Sequence, residues 1–246
     1  MCGRFNLSLT PTQVRYLDEL GSPYPYPYGE SNENDRQGDL LNISPTEMIP
    51  VLASQRSIQH STQSQPTQQA WLQARWWLVP SWSHGPDGQF AMFNARSETL
   101  HSSRAFKKPF ESQRCIIPAT SYLEWKKVTG GKKVIELYDS EMPLLFAGLW
   151  DKWLTAENQA LYSCTIVTAS AHPAIADIHS RMPVMLNLEG AKQWLAIESS
   201  KEDLNPLFTS YPTNLKHREV HPEIGNARNK IKPRPMAEEP MQPRLL

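Results

Sequence analysis

The sequence predicts an α+β fold: one domain with a mostly antiparallel β-sheet core, curled toward a barrel, and helices on its flanks. Three observations carry this. From Trp71 onward the chain breaks into short β-type runs, "CIIPATSYLEW", "KKVIELYD", "PLLFAGLW" and "SCTIVTAS", punctuated by Pro, Gly, Asn and Asp. Their spacing fits hairpins and a meander better than a parallel βαβ series. Helical patterning is confined to one segment near the start and two near the end.

After the opening strand-like residues, Thr10-Pro11-Thr12-Gln13 reads as a capping box with proline at the first helical position, stapled by Leu9 and Val14. The first helix is expected over residues 11–20, ending at Gly21. "SPYPYPYGESNENDRQG" then reads as a mobile surface loop. "SQRSIQHSTQSQPTQQ" reads as a Ser/Gln-rich insertion between two strands. The β-type runs follow, and helices return at "GAKQWLAI" and "KEDLNPLF". The domain is taken as residues 1–230, with 231–246, "IKPRPMAEEPMQPRLL", as a proline-rich flexible tail.

The chain of 246 residues, 39% hydrophobic and with eight tryptophans, has enough apolar material for one large core. Three cysteines without C-x-x-C spacing argue against a disulfide framework and against a zinc knuckle, and fit a reducing compartment. No apolar run approaches the roughly 18 residues of a spanning helix, and no signal-like N-terminus is seen, so a soluble, unexported protein is expected. No metal site is expected, because clustered carboxylates are missing. Lys plus Arg equals Asp plus Glu at 25 each, so any polyanion has to be held by a local patch.

The opening "MCGRF" puts a cysteine directly behind the initiator methionine. Removal of Met1, expected before so small a side chain, leaves an amine and a thiol on Cys2, two nucleophiles that titrate near pH 8 and 8.5. Gly3 permits close approach, and Arg4 places a permanent cation suited to phosphate beside them. In "FNARSET", Asn94 and Arg96 share a face if the stretch is extended, an amide beside an anion clamp. In "SYLEWKK", alternation puts Tyr122 and Glu124 on one face and Leu123 and Trp125 on the other. Desolvation of Glu124 in a pocket would raise its pKa toward the range useful for proton transfer. In "ADIHSRMPVML", His179 is the best acid–base candidate of seven histidines, with Asp177 and Arg181 pointing the same way if the segment is extended. His60 and His84 read as solvated, and Cys115 and Cys164 as inert core thiols.

The motifs "MCGRF", "NISP", "RWWLVPSW", "NARSET", "RCIIPATSYLEWKK", "FAGLWDKW" and "IHSRMPVML", together and in this order, resemble the SRAP family of SOS-response-associated peptidases or abasic-site-processing proteins, over roughly residues 2–226. The resemblance implies a shallow, positively lined groove receiving single-stranded DNA that carries an abasic site. It implies catalytic roles for Cys2, Asn94, Glu124 and His179: Cys2 supplying amine and thiol, Asn94 orienting the amine, and the other two handling protons. Arg4 and Arg96 match positions that contact phosphates, Trp82 an aromatic at the DNA branch point, and Asn42 a motif near the groove. Arg104, Lys107 and Arg181 are added as further phosphate contacts. Trp77 stands where the family usually has glycine, which puts the DNA path in question.

On this resemblance the expected product is a covalent thiazolidine crosslink between Cys2 and the abasic sugar, made without cofactor by a monomeric, cytoplasmic, nucleoid-associated bacterial protein. The alternative is a cysteine peptidase or N-terminal-nucleophile hydrolase using Cys2.

Overall fold

Thr10 and Gln13 form the reciprocal cap anticipated from the sequence: the Thr10 hydroxyl accepts from Gln13 N, and the Gln13 amide oxygen accepts from Thr10 N. They start α1 (Pro11–Asp18), which follows β1 (Phe5–Leu7). Gly21, at φ +98°, turns the chain away in a backbone conformation open to glycine at little cost. The chain is described by a computed structural model over residues 2–26, 38–55, 68–86, 91–210 and 212–236.

The remaining elements are β2 (Leu40–Ile43), β3 (Met48–Gln55), β4 (Gln68–Trp76), β5 (Asn94–Arg96), α2 (Lys107–Ser112), β6 (Arg114–Ala119), β7 (Ser121–Val128), β8 (Gly131–Tyr138), β9 (Leu144–Leu154), β10 (Ala160–Ser170), β11 (Arg181–Pro183), β12 (Met185–Leu186), α3 (Leu188–Leu195), α4 (Lys201–Leu204) and β13 (Lys216–Val220). The fold is α+β. Strands β13, β8, β7, β1 and β2 form an antiparallel sheet in that order. In the second sheet β10, β4, β3, β6 and β9 pair in sequence and β9 pairs back to β10, so the hydrogen bonding closes into a barrel. The barrel is not purely antiparallel: β10 runs parallel to both β4 and β5.

A five-stranded ring leaves little interior space. On β9, a Cβ at Gly148 would come within 2.8 Å of both Cys115 Sγ and Ile117 Cδ1, so only glycine fits without a shift. Arg114 is buried, yet its guanidinium donates to the carbonyls of Phe110, Trp194 and Ala196, satisfying acceptors at the C-terminal ends of α2 and α3.

The two sheets meet through aromatic rings. Phe5 packs edge-on against Trp76 at 5.0 Å and Phe146 at 6.2 Å, and Tyr122 against Phe146 at 5.9 Å. Full burial of a ring such as Phe5 contributes about 2–3 kcal/mol, which anchors the N-terminal segment onto the barrel. The run "CIIPATSYLEW" is two strands in different sheets. Between β6 and β7 the chain bends at Thr120, whose N–H donates to Asn6 O.

Two expectations change and one holds. The loop after α1 is tied down at its start: Tyr24 packs edge-on against Trp71 at 4.9 Å, and Trp71 Nε1 donates to Ser22 O. Residues 27–37 lie outside the described residues. The Ser/Gln-rich insertion joins β3 and β4, which do pair antiparallel, and its residues 56–67 lie outside the described residues. The tail does not begin at residue 231. Ile231 packs on Leu123, Val134, Val220 and Ile224, and Arg234 O accepts from His221 N. Residues 231–236 thus cover the outer face of the five-stranded sheet, while 237–246 lie outside the described residues.

Candidate functional site

Register places the N-terminal residues. Phe5 pairs with Tyr122 and Asn6 with Ser121, and Leu123 N donates to Arg4 O, so the segment before β1 runs beside Glu124. Cys2 is fully buried, and its carbonyl accepts from Asn94 Nδ2 at 2.8 Å. Asn94 Oδ1 is also buried and has no hydrogen-bond partner among the described residues. Asn94 stands on β5, held beside Ile166 of β10, and the expected alternation holds, with Ala95 buried and Arg96 exposed.

Glu124 is 4% exposed. Burial raises its pKa; the positive charges of the chain terminus and of His179 oppose the rise without cancelling it. Burial, and next the neighbouring Glu124 charge, push the Cys2 thiol well up, so at neutral pH the sulfur is protonated. That thiol donates a long hydrogen bond, 3.8 Å, to Arg4 O.

The segment carrying His179 is not extended. Pro173–Ile175 make a 3-10 turn that carries through to a bend before β11. Asp177 therefore diverges from His179: it is exposed and pairs with Lys126 on β7. Arg181 opens β11, and its guanidinium grips Glu98 through two nitrogens and donates to Thr168 O. As a phosphate contact Arg181 is already engaged. His179 is half-buried, with Nδ1 3.0 Å from Arg181 N and 3.1 Å from Arg181 O.

Arg4 Nη1 donates to Asn42 Oδ1 at 3.0 Å, and the guanidinium lies 5.9 Å from the Trp125 ring centre. Asn42 itself has no exposed surface, which removes it as a direct DNA contact. Its main chain sits at φ +46°, its N–H donates to Asn6 Oδ1, and its amide nitrogen lies 2.9 Å from the carbonyls of Ile224, Asn226 and Asn229. Its position fits anchoring Arg4 to the C-terminal segment. Glu47, which pairs with Lys230, adds negative charge near Arg4.

A second cluster is exposed. Trp82 is 48% exposed, and Arg104 lies 4.0 Å above its ring centre. The Trp82 turn is pinned from both sides: Ser81 N donates to the buried Asp151 carboxylate, and Trp153 Nε1 donates to Ser83 O. Lys107, exposed, begins α2 three residues after Arg104. Trp77 lies on Phe93, the residue before Asn94, with ring centres 5.5 Å apart. Among the described residues no three His, Cys, Asp or Glu side chains are grouped to hold a metal, and no helix is long and apolar enough to cross a membrane.

Sequence reasoning missed Glu98, Thr168, Asn6 and the Lys126–Asp177 pair. Glu98 stood within the quoted "NARSET" motif, but its partner lies 83 positions away.

The family model of SOS response associated peptidase (SRAP) matches residues 1–227. The chain belongs to the SRAP family. The SRAP chain is 34% identical over 215 residues to the abasic site processing protein YoqW of Bacillus subtilis (strain 168), covering 86% of this chain and 88% of that protein. With the abasic site processing protein HMCES of Xenopus tropicalis it shares 28% over 258 residues, 93% of this chain and 76% of the other. Among solved structures, a Bordetella bronchiseptica protein matches with a TM-score of 0.67 at 22% identity, covering 89% of this chain and all of that one. A Bacteroides thetaiotaomicron protein matches with a TM-score of 0.66 at 20% identity, over 88% and 92% of the two chains. These two share the fold.

Proposed function

We propose that the protein captures abasic sites in single-stranded DNA by forming a covalent thiazolidine through Cys2 after removal of Met1. The observation that carries this reading is the clasp on Cys2: Asn94 Nδ2 holds its carbonyl at 2.8 Å, and Glu124 is buried close enough for its charge to act on the Cys2 thiol. The names of relatives such as YoqW and HMCES support the abasic substrate class.

In this reading His179 donates a proton to the ring oxygen of the sugar hemiacetal and opens it to the aldehyde. Glu124, ionised, accepts a proton from the Cys2 ammonium. The free amine attacks the aldehyde carbon, and loss of water leaves an imine. Asn94 Oδ1, which lacks a partner among the described residues, accepts an N–H of that amine and aims its lone pair. The thiol then adds across the C=N bond: a C–S bond forms, and the sulfur proton moves to nitrogen with Glu124 as relay. Because both nucleophiles belong to one residue, closure is intramolecular and gains the effective molarity of such steps. Phosphates are held by Arg4 and Arg96, and bases stack on Trp82 backed by Arg104.

A thiolate-first peptidase is a poorer match. Its nucleophile needs a base or cation that stabilises negative sulfur, whereas Cys2 Sγ sits buried beside a carboxylate.

The test mixes Met1-processed protein with a single strand bearing one abasic site. A heat- and detergent-resistant adduct is expected, with mass spectrometry placing the bond on Cys2. An extra residue ahead of Cys2 should abolish the adduct, and adduct formation that survived it would reject the reading.

A further inference from the structure

His179 is held by the main chain of one residue. Arg181 presents Nδ1 with a donor, its N–H at 3.0 Å, and an acceptor, its C=O at 3.1 Å. A neutral ring accepts from the N–H, and a protonated ring donates to the carbonyl. Either protonation state finds a partner with little ring movement, which suits a group that must give up a proton and regain it.

Such a cradle works only while the Arg181 backbone keeps its place, and Arg181 is the first residue of β11, where pairing with β10 begins at Ser170. Its side chain provides the fixing. The guanidinium binds both Glu98 oxygens and the Thr168 carbonyl, and it is 16% exposed where Glu98 is 51% exposed. Glu98 lies in the 3-10 turn Ser97–Thr99 that directly follows β5, so the strand carrying Asn94 and the residue cradling His179 are joined through one carboxylate.

We propose that Glu98 is a positioning residue for the reaction: through Arg181 it fixes the main-chain cradle of His179. The inference rests on the reading that His179 moves a proton at the abasic sugar. The competing role is a plain counter-ion occupying a place that DNA phosphate takes over. The two roles predict opposite signs. Removing a counter-ion tightens DNA and speeds capture, whereas removing a positioning group slows the chemical step and leaves binding equal or tighter.

The experiment makes two sets of measurements on the full-length, Met1-processed protein and its Glu98→Ala and Glu98→Gln variants. The first is the first-order rate of adduct formation at saturating abasic single strand, beside the affinity for the same strand without the lesion. Glu98→Ala should lose about tenfold or more in rate, the scale of a misplaced catalytic group, with affinity unchanged or improved. Glu98→Gln, which keeps an acceptor for Arg181, should fall between. The second is hydrogen exchange of the Arg181 amide by NMR, expected to quicken by about tenfold in Glu98→Ala as its acceptor is loosened. An alanine variant at or above the wild-type rate, a glutamine variant as slow as alanine, or an unchanged Arg181 amide would overturn the proposal. If wild-type protein forms no adduct, the capture reading fails, and the amide exchange alone decides whether Glu98 holds the cradle.

Discussion

Asn94 and Cys2, 92 positions apart, are joined by an amide-to-carbonyl hydrogen bond of 2.8 Å. Asn94→Ala removes this donor along with the unpaired Oδ1. A neutral hydrogen bond is worth about 0.5–1.5 kcal/mol. The adduct-forming rate should therefore fall about tenfold on a denaturing gel assay, with affinity for undamaged single strands retained. Equal loss of both would instead indicate a collapsed site.

Glu124 has its pKa raised by burial, so the acid limb of the rate profile should lie above the about 4.3 of an ordinary glutamate. Glu124→Gln should lower the rate about a hundredfold or more and remove that limb.

The same shift has a stability consequence. With the folded-state pKa above the unfolded one, the folded protein binds the extra proton between the two values, and stability falls as pH rises through that window. Glu124→Gln should therefore melt higher than wild type near pH 7.5, and the gain should vanish below the unfolded-state value of about 4.3. Calorimetry across that range checks the sign.

Gly148→Ala forces a methyl against Cys115 and Ile117 inside the closed barrel. Overpacking of this kind costs about 1–3 kcal/mol. Thermal melting should drop by a few degrees, whereas Gly130→Ser, in a turn with open space around it and φ +86°, should cost only backbone strain.

Arg104→Ala removes the cation over Trp82. Single-strand affinity should weaken several-fold, with the slope of log affinity against log salt shallower by about 0.7. A slope unchanged by the substitution would place Arg104 away from the phosphates.

Local chemistry was legible where neighbours in sequence decide the outcome. The Thr10–Gln13 cap and the facing of Tyr122 opposite Leu123 and Trp125 each follow from short patterns. His179 was singled out, but its setting was misread, because Pro173 starts a 3-10 turn that precludes the extended geometry assumed for Asp177. Asn42 was picked out by motif alone. Its burial depends on carbonyls 182 to 187 positions away, which no local pattern encodes. The parallel pairing of β10 with β4 was equally hidden, since it joins segments far apart along the chain.

The clasp around Asn42 brings Arg4 and residues 224–229 into one assembly. Its amide nitrogen meets Ile224, Asn226 and Asn229, while its oxygen steadies Arg4. A nascent chain emerging from the ribosome thus carries its second residue long before the groups that finish its surroundings have been translated. Main-chain groups of residues 224–229 complete the surroundings of Arg4, so a nascent chain that stops short of them does not yet hold that guanidinium in place.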